Sequence, residues 1–288
     1  MIEKIESGIL LSEKEWINHI ESLRKKVTNS NINKLKIILE DAVKKRIKNE
    51  PLGLLYSGGI DSVLLAVILK KLKANFFCFC VGIKNSPDVI AAKKSAELLG
   101  LNLIVKEFEE KEVFDIFKKT VKLYKAPSAI DIAIGSVIFS AIQLGKKFGI
   151  KTFFTGLGAE DLFAGYHKYR SAKDINKECW NGLKTTYERD FLRDFPVARF
   201  FKVNFAVPFY DEAVIISAMG ISGEKKINKD FKKIPLREVA VLEGVPEEFA
   251  WRKKKAAQYG SGFDKMLEKF AKKSKVSKAE FVKKLKSN

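Results

Sequence analysis

Cysteine and histidine are scarce in this sequence: Cys78, Cys80 and Cys179, and His19 and His167, among 288 residues. Three cysteines with no CxxC pair make no disulfide framework, and two histidines leave no zinc site to argue. Cys78 and Cys80 alternate within Phe76-Phe77-Cys78-Phe79-Cys80-Val81, which reads as a buried strand, so both face one side and serve the core. No apolar run approaches the roughly 20 residues of a membrane span. The N-terminus, with charges scattered among Ile2, Ile5, Ile9 and Leu10, lacks the apolar core of a signal peptide, so a cytoplasmic location is expected. Low complexity and internal repeats are absent. Acidic charge is in the minority: 35 Asp and Glu against 54 Lys and Arg, a formal net charge of +19. That excess suits RNA contact, but lysine-rich surfaces also occur on thermophile proteins, and RNA stays the weaker reading.

What is present is an apolar run, Leu52-Gly53-Leu54-Leu55-Tyr56, that breaks into Ser57-Gly58-Gly59-Ile60-Asp61-Ser62 and resumes as Val63-Leu64-Leu65-Ala66. The first run reads as a buried strand and the second as a helix. Between them Ser57, Gly58 and Gly59 leave the backbone open, so successive N–H groups and a helix N-terminus can surround an anion. The lysine that GxxxxGK[ST] requires is missing, so this is not the common nucleotide loop. Asp61 is suited instead to hold a divalent metal against phosphate oxygens, and Ser57 and Ser62 can donate hydroxyl hydrogen bonds. On spacing alone the loop is either a phosphate site or an ordinary strand–helix turn.

Strand-like and helix-like patterns alternate from residue 52 to about 155, which predicts an α/β fold, an open parallel sheet with helices on both faces. Strands are placed at 52–56, 75–81, 102–105 and 152–155, and helices near 61–73, 87–99, 111–124 and 131–148. Ahead of them, residues 12–48 read as two helices, with Ser12 and Glu15 as a capping box. The rest is more helical, and after Gly262 a lysine-rich tail reads as a short solvated helix or two. The division expected is an N-terminal helical segment at 1–50, a nucleotide-binding domain at 51–262 and a basic helical tail at 263–288. In such a sheet, ligands bind beyond the carboxyl ends of the strands.

Two more stretches carry charge at those ends. Thr155-Gly156-Leu157-Gly158-Ala159-Glu160-Asp161 combines glycines with acids: Glu160 and Asp161 either join Asp61 around metal ions or merely suit a helix dipole. Arg252-Lys253-Lys254-Lys255, running on to Gly262, either stabilises charge on a leaving group or is a solvated basic face.

Together these stretches resemble the ATP pyrophosphatase (PP-loop) superfamily. From about residue 32 to 262 the sequence looks like the synthetase domain of asparagine synthetase, and also of β-lactam synthetase. Val81-Gly82-Ile83 with Ser86-Pro87-Asp88 is similar to the family's second block, and Val207-Pro208-Phe209-Tyr210-Asp211 and Leu236-Arg237-Glu238 to its later helical signatures. The resemblance implies an adenine nucleotide alpha hydrolase-like, Rossmann-like fold, with ATP and Mg2+ as cofactors. It implies that Ser57, Gly58, Gly59, Asp61 and Ser62 bind pyrophosphate and Mg2+. Leu55, Val81, Gly82, Thr155 and Gly156 would contact adenosine, Glu160 would be the second metal carboxylate, and Lys254 would stabilise the adenylation transition state.

The departures are specific. A glutaminase domain does not fit in the fifty residues before the loop, so free ammonia or a separate glutaminase subunit is expected to supply nitrogen. Leu157 stands where asparagine synthetase has a glutamate, and it cannot transfer a proton. Asn204-Phe205-Ala206 stands where Glu-x-Arg is usual, removing two charges near the substrate. The expected function is an ATP-dependent carbon–nitrogen ligase that adenylates a small-molecule carboxylate, aspartate being one candidate, with a homodimer as one candidate assembly. A tRNA-modifying ATPase and a non-catalytic nucleotide-binding partner of another subunit are the alternatives.

Overall fold

The structure is a computed structural model describing residues 2–7, 9, 11–253 and 256–287. Five strands form one sheet: β1 (Leu52–Leu55), β2 (Phe76–Ile83), β3 (Leu103–Phe108), β4 (Thr152–Phe154) and β5 (Asn204–Ala206). Every pairing is parallel and the spatial order is β3-β2-β1-β4-β5. β1 and β2 are apolar throughout and mostly buried, and β4 is fully buried, as covering both faces with helices requires. A Cβ on Gly53 would stand 2.5 Å from the Phe153 ring, so this glycine lets β1 and the β4 aromatic share the sheet face.

The open parallel sheet and four expected strands are observed, with bounds shifted by one to three residues. β3 runs on to Phe108 through Lys106 and Glu107, polar residues that an edge strand tolerates. β5 was not expected: three residues in register with β4 carry too little periodicity to be read from sequence. The chain leaves β1 toward β2 on one side, while β4 pairs on the other. The crevice beyond their carboxyl ends is therefore a topological switch point, where open α/β sheets bind ligands.

The helices follow the apolar spacing. Ile60–Lys71 leads out of β1, and Pro87–Leu98 links β2 to β3. Ala129–Lys146 starts at a Ser128–Asp131 capping box, two residues before the expected start. It is the one described helix long and apolar enough to cross a membrane, and half of it is buried inside the molecule. The Ser12–Glu15 capping box opens Glu13–Arg24 as expected, and Trp16 Nε1 donates to Leu183 O at 2.8 Å. The tail departs from a solvated helix. Phe263–Lys273 and Lys278–Ser287 bury Phe263, Leu267, Phe281 and Leu285 against the core, with the Phe263 ring 6.1 Å from Phe108. Cys78, Cys80 and Cys179 are buried and free of disulfides.

Candidate functional site

The loop at residues 56–59 is shaped by its glycines. Gly58 has φ +63°, and a Cβ there would stand 2.7 Å from the Ala91 carbonyl carbon and 2.8 Å from Ala92 N; no other residue fits. Gly59 is the N-cap of Ile60–Lys71 and no side chain caps it, so the positive end of that helix is left for an anion. Ser62 Oγ donates to Gly59 O at 3.0 Å and accepts from Ser57 N at 3.3 Å, closing the loop on itself. From outside, Arg252 Nη2 donates to Gly58 O at 2.9 Å.

Asp61, in the first turn of the helix that the loop opens, and Glu160 have Lys233 between them. Lys233 Nζ donates to Asp61 Oδ1 and Oδ2 at 2.9 and 2.8 Å and to Glu160 Oε1 at 2.6 Å. Lys233 sits at φ +58° before Pro235 in the helix Ile234–Leu242, an uncommon backbone for a side chain of this size. Gly165 lets the stem through: a Cβ there would stand 2.4 Å from Lys233 Cε. Burial alone would depress the ammonium, but the Asp61 and Glu160 carboxylates outweigh it and hold Lys233 above its ordinary range. Two carboxylates sharing one cation form an oxygen-only donor pair. No group of three or more Asp, Glu, His or Cys able to hold a metal exists among the described residues. The pair therefore fits Mg2+ in the mode where one or two carboxylates act together with phosphate oxygens and water.

These residues open on a cavity of about 550 Å3, within the roughly 300–1,000 Å3 usual for small-molecule sites. Leu55, Ser57, Asp61, Ser62, Thr155, Gly156 and Glu160 all border it. Gly58 and Gly59 lie in the loop but do not border the cavity. Val81 and Gly82 do not border this cavity. Val81 is buried, and Gly82 is covered by Ser86 and Ser261, whose carbonyl accepts from Ile83 N at 2.9 Å. Lys254 lies outside the described residues.

Asp161 touches the cavity but is turned into a buried network. It accepts from Tyr169 Oη at 2.8 Å and from Arg189 Nη2 at 2.5 Å. Arg189 also donates to Asp190 at 2.6 Å and lies 4.9 Å over the Tyr166 ring. Arg193 pairs with Asp190 at 3.0 Å and with both oxygens of Asp194, at 2.5 and 3.0 Å. Burial pushes Asp161 above the usual carboxylate range against the pull of Arg189, and pushes Asp194 up to about 6 against Arg193. A π-turn at Tyr187–Phe191 joins Ile175–Thr186 to Leu192–Phe201 and turns this cluster toward the cavity. Sequence reasoning missed Lys233, Arg189 and Arg193. Lys233 had no local signal in a lysine-rich chain; the charges at 189, 190, 193 and 194 recur at helical spacing and were readable as one face.

Together these features define a doubly wound α/β protein with a glycine loop at a helix N-terminus and a cation-bridged carboxylate pair at its switch point. The chain belongs to the asparagine synthase family, whose model matches residues 34–180 and 168–284. A Methanocaldococcus jannaschii protein bearing the name of a glutamine-hydrolysing asparagine synthetase is 31% identical over 279 residues, covering 83% of this chain and 51% of that one. Asparagine synthetase B (glutamine-hydrolysing) of Escherichia coli is 28% identical over 270 residues, covering 87% and 48%. The chain thus spans about half the length of the curated relatives it matches. Among solved structures, NMN synthetase from Francisella tularensis aligns with TM-score 0.44 and 12% identity over 96% of this chain and 94% of that one.

Proposed function

We propose that this chain is an ATP-dependent amide-forming ligase that adenylates a substrate carboxylate. The carboxylate oxygen bonds to the α-phosphorus, the bond to the β-phosphate oxygen breaks and pyrophosphate leaves; ammonia or an amine then attacks the acyl carbon and AMP departs. The observation that carries this reading is the loop at 57–62, whose Asp61 is joined to Glu160 through Lys233 beside one cavity at the switch point. Membership of the asparagine synthase family supports it.

The loop amides and the Ile60–Lys71 N-terminus would hold the phosphates, with Ser57 and Ser62 fixing the loop. Asp61 and Glu160 would hold Mg2+, which when bound supplies neutralisation of phosphate charge. Displaced from the carboxylates, Lys233 would be free to meet phosphate oxygens, and Lys254 would act on the charge developing in transfer. Leu55, Thr155 and Gly156 would border the adenosine, and Leu157 offers no group to move a proton. The nitrogen source would be ammonia or a separate glutaminase subunit.

The test is pyrophosphate release over a panel of carboxylic acids with ammonia and Mg2+. Asp61→Asn and Lys254→Ala are expected to abolish release while far-UV circular dichroism stays unchanged. Release at the wild-type rate in either variant contradicts the assignment.

A further inference from the structure

We propose that the acceptor is a monocarboxylic acid with a hydrocarbon body, and not a dicarboxylate such as aspartate. The inference rests on the adenylation reading above and deepens it.

The first ground is the wall facing the loop. Ala129–Lys146 buries Ile132, Ala133, Phe139 and Ile142 in the core, yet carries a second apolar stripe. Ile130, Ile134, Val137 and Ile138 recur at i, i+4, i+7 and i+8, one face of a helix, and all four border the cavity. All are partly exposed, Ile130 by 56%. Leu157 extends the stripe to the loop side and Phe205 borders the same space. An apolar stripe lining a cavity continuous with the nucleotide loop is covered at least cost by hydrocarbon from the molecule whose carboxylate reaches that loop.

The second ground is charge. A second carboxylate needs a free cation. Away from the loop, among the described residues, the guanidinium groups bordering the cavity are Arg189 and Arg193, and both are committed: Arg189 to Asp161 and Asp190, Arg193 to Asp190 and Asp194; the imidazole of His167 also borders it and is not a permanent cation. Three carboxyl groups against two guanidinium groups leave an excess of acid. The other cations stand at the loop end. Lys233 bridges Asp61 and Glu160, Lys232 feels the charge of Glu160, and Arg237 donates to the carbonyls of Lys232, Ala250 and Arg252. A dicarboxylate would set its second charge against hydrocarbon or against that excess. A monocarboxylate directs its one charge to the loop.

Isothermal titration of the wild-type chain, with and without ATP, would compare hexanoate and phenylacetate with glutarate and L-aspartate. Hexanoate is expected to bind at least tenfold tighter than L-aspartate, and Ile134→Asp to weaken hexanoate more than tenfold. Ile130→Asp, at an exposed position, serves the same purpose if Ile134→Asp does not fold. Aspartate binding as tightly as hexanoate, or no hexanoate binding in either condition, overturns the inference. ATP titrated into wild type and Asp61→Asn keeps the two readings separate. Loss of the ATP result with the hexanoate preference intact sinks the adenylation reading alone, and the reverse sinks this inference alone.

Discussion

Two buried lysines are held by opposite means. Lys233 has carboxylates on both sides, whereas Lys226 is fully buried and its ammonium donates to Met219 Sδ, at 3.3 Å, with no carboxylate paired to it among the described residues. Removing the Lys233 charge leaves Asp61 and Glu160 facing each other without a cation. Lys233→Met should therefore cost about 2 kcal/mol, below the full cost of breaking a wholly buried pair because Glu160 is partly exposed. Millimolar Mg2+ should restore part of that loss, whereas it should shift wild type little; urea unfolding with and without Mg2+ reads both, and an equal shift in the two proteins contradicts the shared-cation reading. Lys226 behaves in the other sense. Burial lowers it to about 8, so below that pH the folded state carries an unpaired buried charge. Between pH 8 and the ordinary lysine value of about 10.5 the unfolded chain binds the extra proton, and folding stability rises with pH. Lys226→Met should thus stabilise the protein at pH 7 by on the order of 3 kcal/mol, with the gain shrinking by pH 10. A gain that does not change with pH would show that packing, not charge, sets it.

At the scale of elements, the legible parts of the fold are those whose signal is contiguous. The strand, the Gly58-Gly59 break and the helix from Ile60 lie in one stretch, so the loop could be read from local chemistry. Ser128 with Asp131 and Ser12 with Glu15 likewise carry their caps within four residues. β5 escaped because its reason for being a strand is its neighbour: Phe153 pairs with Phe205 and Phe154 with Ala206, contacts no local pattern encodes. The tail escaped for a related reason. Phe263, Phe270 and Phe281 looked like scattered apolar residues in a lysine run, yet Phe114 and Phe117 present rings to meet them, at 5.1 Å for Phe114–Phe270 and 6.0 Å for Phe117–Phe263. The candidate site divides in the same way. Asp61 and Glu160 stand in readable motifs, whereas Lys233 reaches them from 172 and 73 residues away in sequence, and only the fold makes that distance short.

Over the whole molecule the excess of basic residues sets a field that local pairs do not cancel. Nineteen positive charges remain in formal excess. Many of the acids are already in exposed pairs, such as Lys118–Asp115 and Lys272–Glu268, which contribute little. Added salt weakens those attractions and the general repulsion together. Exposed pairs lose little because they held little, while repulsion among the unpaired lysines acts over the whole surface and favours the expanded chain. Raising NaCl from about 10 to about 100 mM shortens the screening length from roughly 30 to roughly 10 Å. The thermal midpoint should therefore rise by a few degrees. Thermal unfolding at fixed pH without divalent ions measures it, and a falling midpoint would mean that the ion-pair network outweighs the net charge. The same field draws polyanions of any kind toward the surface, which makes attraction alone a poor guide to partner. The loop at 57–62 differs because an N-terminus that no side chain caps stands beside a carboxylate pair, and under the proposed function it takes phosphate and a divalent cation together. The salt response of the fold and the salt response of ATP binding should accordingly separate: the first should follow NaCl alone, and the second should in addition require Mg2+ and fail in Asp61→Asn.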